Sequence, residues 1–95
     1  MKRKWIKTFE DNFILILERF NNNVHIEFFK PMTVYYSNTE PRTEFFLDSA
    51  SYNVKFDFDE IFTHIKSYFT INKVIITNEI ELKDFIMDFM ENNNY

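Results

Sequence analysis

The chain of 95 residues has no glycine, no cysteine and only two prolines. Without glycine, two large classes of site are excluded. A phosphate-cradling loop and a dinucleotide fingerprint both need glycine where the backbone closes on the ligand. Without cysteine there is no disulfide framework, no thiolate nucleophile and no cysteine-ligated zinc. That absence fits a reducing cytoplasm. Long apolar runs are missing too. None approaches the roughly 20 residues of a membrane helix, so no span is expected. The basic start from Met1 to Lys7 is broken by Glu10 and Asp11 before any apolar stretch, and no small-residue cleavage site follows. It is not read as a signal peptide.

What the chain has in excess is aromatic side chains, at 20% of residues, with 13 Phe and five Tyr. A single domain is expected. A chain of this length buries roughly 65% of its unfolded surface, enough for one core without a metal or disulfide. The net charge of −4 is unevenly spread. Residues 1–30 carry six Lys/Arg against four Asp/Glu; residues 31–95 carry five against eleven. The acidic C-terminal part disfavours a nucleic-acid backbone and favours a basic protein partner.

The first two-thirds reads as strands. Arg3 to Phe9 is a short strand anchored by Trp5 and Ile6, and Glu10-Asp11-Asn12 is a turn. Phe13 to Leu17 is an apolar run suited to a strand buried on both faces. Val24 to Lys30 alternates, with Val24, Ile26 and Phe28 on one face. Asn21-Asn22-Asn23 joins the two as a hairpin, because asparagine tolerates the left-handed backbone a tight turn requires. Pro31 is expected to end that strand. Thr33 to Tyr36 and Thr43 to Leu47 are the next strands, separated by a loop. Asp48 to Ser51 reads as a turn before Tyr52 to Phe58, in which Tyr52, Val54, Phe56 and Phe58 face inward.

The period then changes to helical. Asp57 with Glu60, and Asn78 with Glu81, have the spacing of N-terminal caps. The first helix is expected to reach about Phe69. The second runs from about Glu79 to Glu91 on Leu82, Phe85, Ile86, Phe89 and Met90. Val74-Ile75-Ile76 reads as a short strand between them, and Asn92 to Tyr95 as a frayed end. The order implies an α+β fold: an antiparallel sheet of about five strands with two C-terminal helices on one face.

Three features bear on function. The aromatics come as doublets: Phe28-Phe29, Tyr35-Tyr36 and Phe45-Phe46. Each doublet in a strand places one ring on each sheet face, and two helices cover only one face. The other face then exposes a row of Phe and Tyr, and Phe29, Phe45, Tyr35 and Tyr36 are the candidate contact residues. Either the sheet curls over them, or they meet a protein partner or a second copy, or they stack bases. The second feature is an acidic stripe, Glu81, Asp84, Asp88 and Glu91, which falls within an arc of about 80° on the last helix. Its neighbours lie about 5–6 Å apart, close to the phosphate spacing of a nucleic-acid strand. The third is the pair of histidines, His25 and His64. Neither has a second histidine at ligand spacing. No catalytic residue, metal ligand or cofactor is expected.

In size, acidity and lack of glycine the sequence resembles the small inhibitors carried by phages and mobile elements, including anti-CRISPR proteins. Its Phe-, Asn-, Ile- and Lys-rich composition matches an AT-rich genome. The resemblance implies a non-catalytic inhibitor in the host cell cytoplasm. Its partner would be a host protein or ribonucleoprotein complex with a basic groove, bound through the acidic stripe and the exposed aromatics. An immunity protein or antitoxin against a basic toxin is the nearest alternative. A single-stranded nucleic-acid binder using Lys2, Arg3, Lys4, Lys7 and the sheet aromatics is a third, and a self-associating structural component of a phage a fourth.

Overall fold

A chain without glycine must turn on other residues. Among the described residues four have left-handed φ angles: Asn12 at 64°, Asn21 at 57°, Asn38 at 64° and Lys73 at 56°. Asparagine pays least for this conformation of any residue with a side chain of its kind, and three of the four turns use it. The structure is a computed structural model that describes residues 4–9 and 12–94. Glu10 and Asp11 of the expected first turn, Arg3 of the first strand, Lys2 and Tyr95 lie outside the described residues.

The fold is α+β. Strands β1 (Trp5–Thr8), β2 (Ile14–Phe20), β3 (Asn23–Val34) and β4 (Arg42–Lys55) form one antiparallel sheet in the order β1-β2-β3-β4. Helices α1 (Phe58–Ile71) and α2 (Glu79–Asn92) follow. Both pack on the face that carries Leu15, Leu17, Val24, Ile26 and Phe28, all essentially inaccessible to solvent. Their own core residues are Ile61, Ile65 and Phe69 of α1 and Leu82, Ile86 and Phe89 of α2. α1 lies over β3, where the Tyr68 ring stacks on Phe28 at 3.7 Å between centroids. α2 lies toward β1, with Phe89 edge-on to Trp5 at 6.4 Å. Both expected caps form: Asp57 accepts from the Glu60 amide at 3.1 Å, and Asn78 from the Glu81 amide at 3.2 Å.

Four strands stand where about five were expected: the six strand segments read before the helices reduce to four, because two expected breaks do not occur. Pro31 does not end β3, which continues to Val34 opposite Arg42. The last β3 residue paired with β2 is Phe29. Among the described residues no strand pairs with β3 on that side beyond it, so Pro31 sits on an edge, where a proline is tolerated. Asp48 to Ser51 is likewise not a turn. It is part of β4, which takes up one extra residue at Asp48 and another at Tyr52–Asn53, where the register shifts against β3. Each such bulge reverses the alternation of side chains. Tyr52 is therefore not inward-facing; it is 53% exposed and meets His25 on the opposite face. Tyr35 and Tyr36 fall outside β3, in the loop at the tip of a long β3–β4 hairpin.

The expected strand at Val74 to Ile76 is absent. α1 instead stops in a two-bond terminal lock. The Val74 amide donates to Phe69 O at 2.8 Å and the Lys73 amide to Thr70 O at 3.2 Å, with Lys73 left-handed. This geometry turns the chain and tucks Val74 into the core as the helix-ending apolar contact. Val74 is buried while Ile75 points to solvent. The run is apolar for helix termination, not for pairing. At the other end, Asn93 is not frayed. It is buried and donates its side-chain amide to Phe89 O at 2.8 Å. Arg19 of β2 donates to the Asn93 carbonyl and lies 3.7 Å over the Phe56 ring. Of the two first-strand anchors, Trp5 packs on the core and Ile6 lies exposed on the far face.

Candidate functional site

The acidic stripe is built by the cap and the period of α2. Asn78 starts the helix, Leu82, Ile86 and Phe89 fix its inner face, and the residues between them must then point outward. Glu81, Asp84, Asp88 and Glu91 line one shallow groove of about 650 Å³, together with Lys7, Asn78, Ile80, Phe85 and Met87. All four predicted carboxylates are thus brought together. Lys7 of β1 closes one end of the row, with its ammonium 2.8 Å from Glu81. Asp84, Asp88 and Glu91 make no ion pair among the described residues.

Two apolar residues flank this row and were not among the sequence candidates. Ile80 is 68% exposed and Met87 is 46% exposed. They are seven residues apart and so lie on one stripe of the helix, beside the acids rather than inside the core. That spacing was the available signal. It was masked by the stronger core period on the same segment.

The aromatic candidates fall elsewhere. Phe29 and Phe45 lie on the sheet face away from the helices, in neighbouring rungs: Phe29 opposite Leu47, and Phe45 opposite Pro31. Tyr35 is exposed at the hairpin tip. Tyr36 beside it donates its hydroxyl to Glu44 at 2.7 Å, with the Arg42 guanidinium 5.2 Å from its ring. The bond to Glu44 raises the Tyr36 phenol above its ordinary pKa. The acidic row and the sheet aromatics therefore occupy opposite sides of the molecule and form no joint surface. Nor does Lys7 join the aromatics. Lys7 is held by Glu81 on the helix side of the sheet.

The histidines are separated as well. His25 sits on the open sheet face, stacked on Phe20 at 3.9 Å and edge-on to Tyr52 at 4.7 Å. His64 sits in α1 on the other layer, where burial lowers its pKa. It lines a second groove of about 510 Å³ with Asn53, Asp59, Glu60, Thr63 and Ser67. Among the described residues no three His, Asp or Glu side chains converge as a metal site would need. No helix there is long and apolar enough to cross a membrane.

No family model matches the sequence, and no curated protein or solved structure matches it.

Proposed function

We propose that the chain is a small non-catalytic inhibitor, of the phage or mobile-element anti-defence class that includes anti-CRISPR proteins. Acting in the host cytoplasm, it would occupy a basic groove on a nucleic-acid-handling protein or ribonucleoprotein. The observation that carries this reading is the row Asp84, Asp88 and Glu91 on α2, without ion pairs among the described residues and flanked by exposed Ile80 and Met87. The row is costly to the helix itself. Like charges three and four residues apart repel. Asp88 and Glu91 also stand in the C-terminal half of α2, where the helix dipole favours cations, and the last turn holds no basic residue. A basic groove on a partner would offset that cost, and the flanking apolar side chains would supply contact area.

The test is recovery of partners from host lysate on tagged wild-type protein and on the double reversal Asp84→Lys/Asp88→Lys. A basic nucleic-acid-handling complex held by the wild type and lost by the reversal is the expected result. Equal recovery on both would remove α2 from the interface and overturn the reading.

A further inference from the structure

The sheet has a second face, and the helices do not touch it. Among the described residues nothing covers it. Pairing and alternation place Ile6, Ile14, Ile16, Phe29, Phe45 and Leu47 there, in neighbouring rungs of the four strands. Ile6 and Leu47 are at least half exposed. Phe20, His25 and Tyr52 extend the patch toward one end as a ring cluster. Strands lie about 4.8 Å apart and rise about 3.3 Å per residue, so the face projects to about 550 Å². Its apolar and aromatic residues make up roughly half of that footprint, within the few hundred Å² of apolar surface a soluble monomer leaves open.

We infer that this face is the contact of a homodimer, two copies stacking sheet to sheet with their helices outward. The area carries the choice of occupant. Two copies of the face bury about 1,100 Å², which clears the roughly 1,000 Å² a specific interface needs. Charge supports it. The chain has a net charge of −4, yet among the described residues the charged side chains in the paired rungs of this face are Glu18, Glu27 and Lys55. An apolar face with so little charge meets a copy of itself without the repulsion that the acidic α2 would impose. It also offers little to select a basic partner. The composition, aromatic and aliphatic with charge depleted, is that of an interface core. A twofold stack of this kind is the commonest form of assembly. Glu27 is the exception. It lies between Ile16 and Ala50 in the middle of the face, so dimerisation must desolvate it, and that holds the dimer to moderate affinity.

This inference is independent of the inhibitor reading, which uses the opposite side of the molecule. The dimer would present two acidic helices facing away from each other.

The experiment is sedimentation of the full chain from micromolar to millimolar concentration, beside Leu47→Lys and Glu27→Gln. Wild type is expected to reach twice the 11.7 kDa chain mass. Leu47→Lys, at an exposed position and checked for native circular dichroism, is expected to stay monomeric. Glu27→Gln is expected to tighten the dimer about tenfold, the gain from no longer burying a charge. Isotope-filtered NMR on a mixed labelled and unlabelled sample is expected to show contacts between copies at the Ile16 and Leu47 methyls. A monomer at every concentration would overturn the inference. So would a dimer whose contacts between copies map to α2, or one weakened by Glu27→Gln.

Discussion

The Tyr68 hydroxyl donates to Asp48 Oδ2 at 2.7 Å, tying α1 to the first bulge of β4. Lys30 Nζ reaches the other oxygen of the same carboxylate at 3.1 Å. Asp48 shares the face of Phe46, two residues before it and paired with Lys30, so both partners meet it on the helix side of the sheet. The hydroxyl of Tyr68 first, and the Lys30 ammonium second, hold the Asp48 carboxyl below its ordinary pKa. Burial, and then the same bond, raise the Tyr68 phenol.

This contact gives stability a defined acid dependence. The folded-state pKa of Asp48 is lower than the unfolded value of about 3.9. The folded protein therefore binds this proton less readily than the unfolded chain. The stabilisation is complete above the unfolded value and is lost as pH falls through the folded one. Asp48→Asn should lower the denaturation midpoint at pH 7 and flatten its decline below about pH 4. Tyr68→Phe should cost about 1.5 kcal/mol at pH 7, the low end of the range for a hydrogen bond to a charged group, because the Asp48 carboxylate keeps contact with solvent. Urea titrations at several pH values check both. A decline equally steep in wild type and Asp48→Asn would show that other carboxylates dominate.

Lys73 is the second test. It ends α1 in the left-handed conformation, which costs a residue with a side chain about 1–2 kcal/mol, and its two terminal bonds need only the backbone. Lys73→Gly should therefore stabilise the protein by about 1 kcal/mol, or 4–8 °C in melting temperature for a domain of this size. Lys73→Val should destabilise it, since a branched β-carbon is least tolerated there. Thermal melts of the pair decide the matter. A loss of stability in Lys73→Gly would mean that the Lys73 side chain contributes more than its backbone strain removes.

How far the sequence predicts the structure can be followed through these same elements. Both helices were legible with their caps, because a cap and an apolar period are local signals written within a dozen residues. The Asn21 turn was legible for the same reason. Pro31 and Asp48 to Ser51 were misread because their meaning depends on a neighbour. A proline is harmless where the adjoining strand has already ended, and a bulge is visible only against the strand it slips past. The same slip put Tyr52 on the opposite face. Val74 to Ile76 has a strand's composition, yet its first residue is consumed by the end of α1. The acidic row was read correctly as one face of α2. That it lies on the other side of the molecule from Phe29 and Phe45 followed only from which sheet face the helices cover.

The two faces of β3 and β4 should respond differently to the same substitution. Phe28 is fully buried beneath Tyr68, so Phe28→Ala should cost about 3–5 kcal/mol through lost burial and the cavity left behind. Phe45 is 43% exposed on the far face, and Phe45→Ala should cost about 1 kcal/mol in dilute solution. Chemical denaturation at low protein concentration measures both. If the cost of Phe45→Ala grows with protein concentration, the added part reports stacking of copies, since association stabilises only the folded state. Equal costs in dilute solution would mean that the outer face is covered within the single chain.

The double reversal Asp84→Lys/Asp88→Lys separates fold from function by moving them in opposite directions. In the wild type Glu81 and Asp84, Asp84 and Asp88, and Asp88 and Glu91 are repulsive neighbours at spacings of three or four. The reversal converts the first and last of these to attractive pairs and leaves the middle one repulsive, a gain of about 1 kcal/mol for the helix. It also places cations nearer the C-terminal end of α2, where the dipole favours them. Stability should therefore stay level or rise slightly. Affinity for a basic partner should fall at least about 100-fold, since like charges facing each other across an interface cost several kcal/mol. Calorimetry on the recovered partner and a melt of the free variant supply the two numbers. A variant that melts earlier and binds weakly would trace lost binding to a damaged helix. One that melts normally and binds as before would leave the row as a solvated helix face.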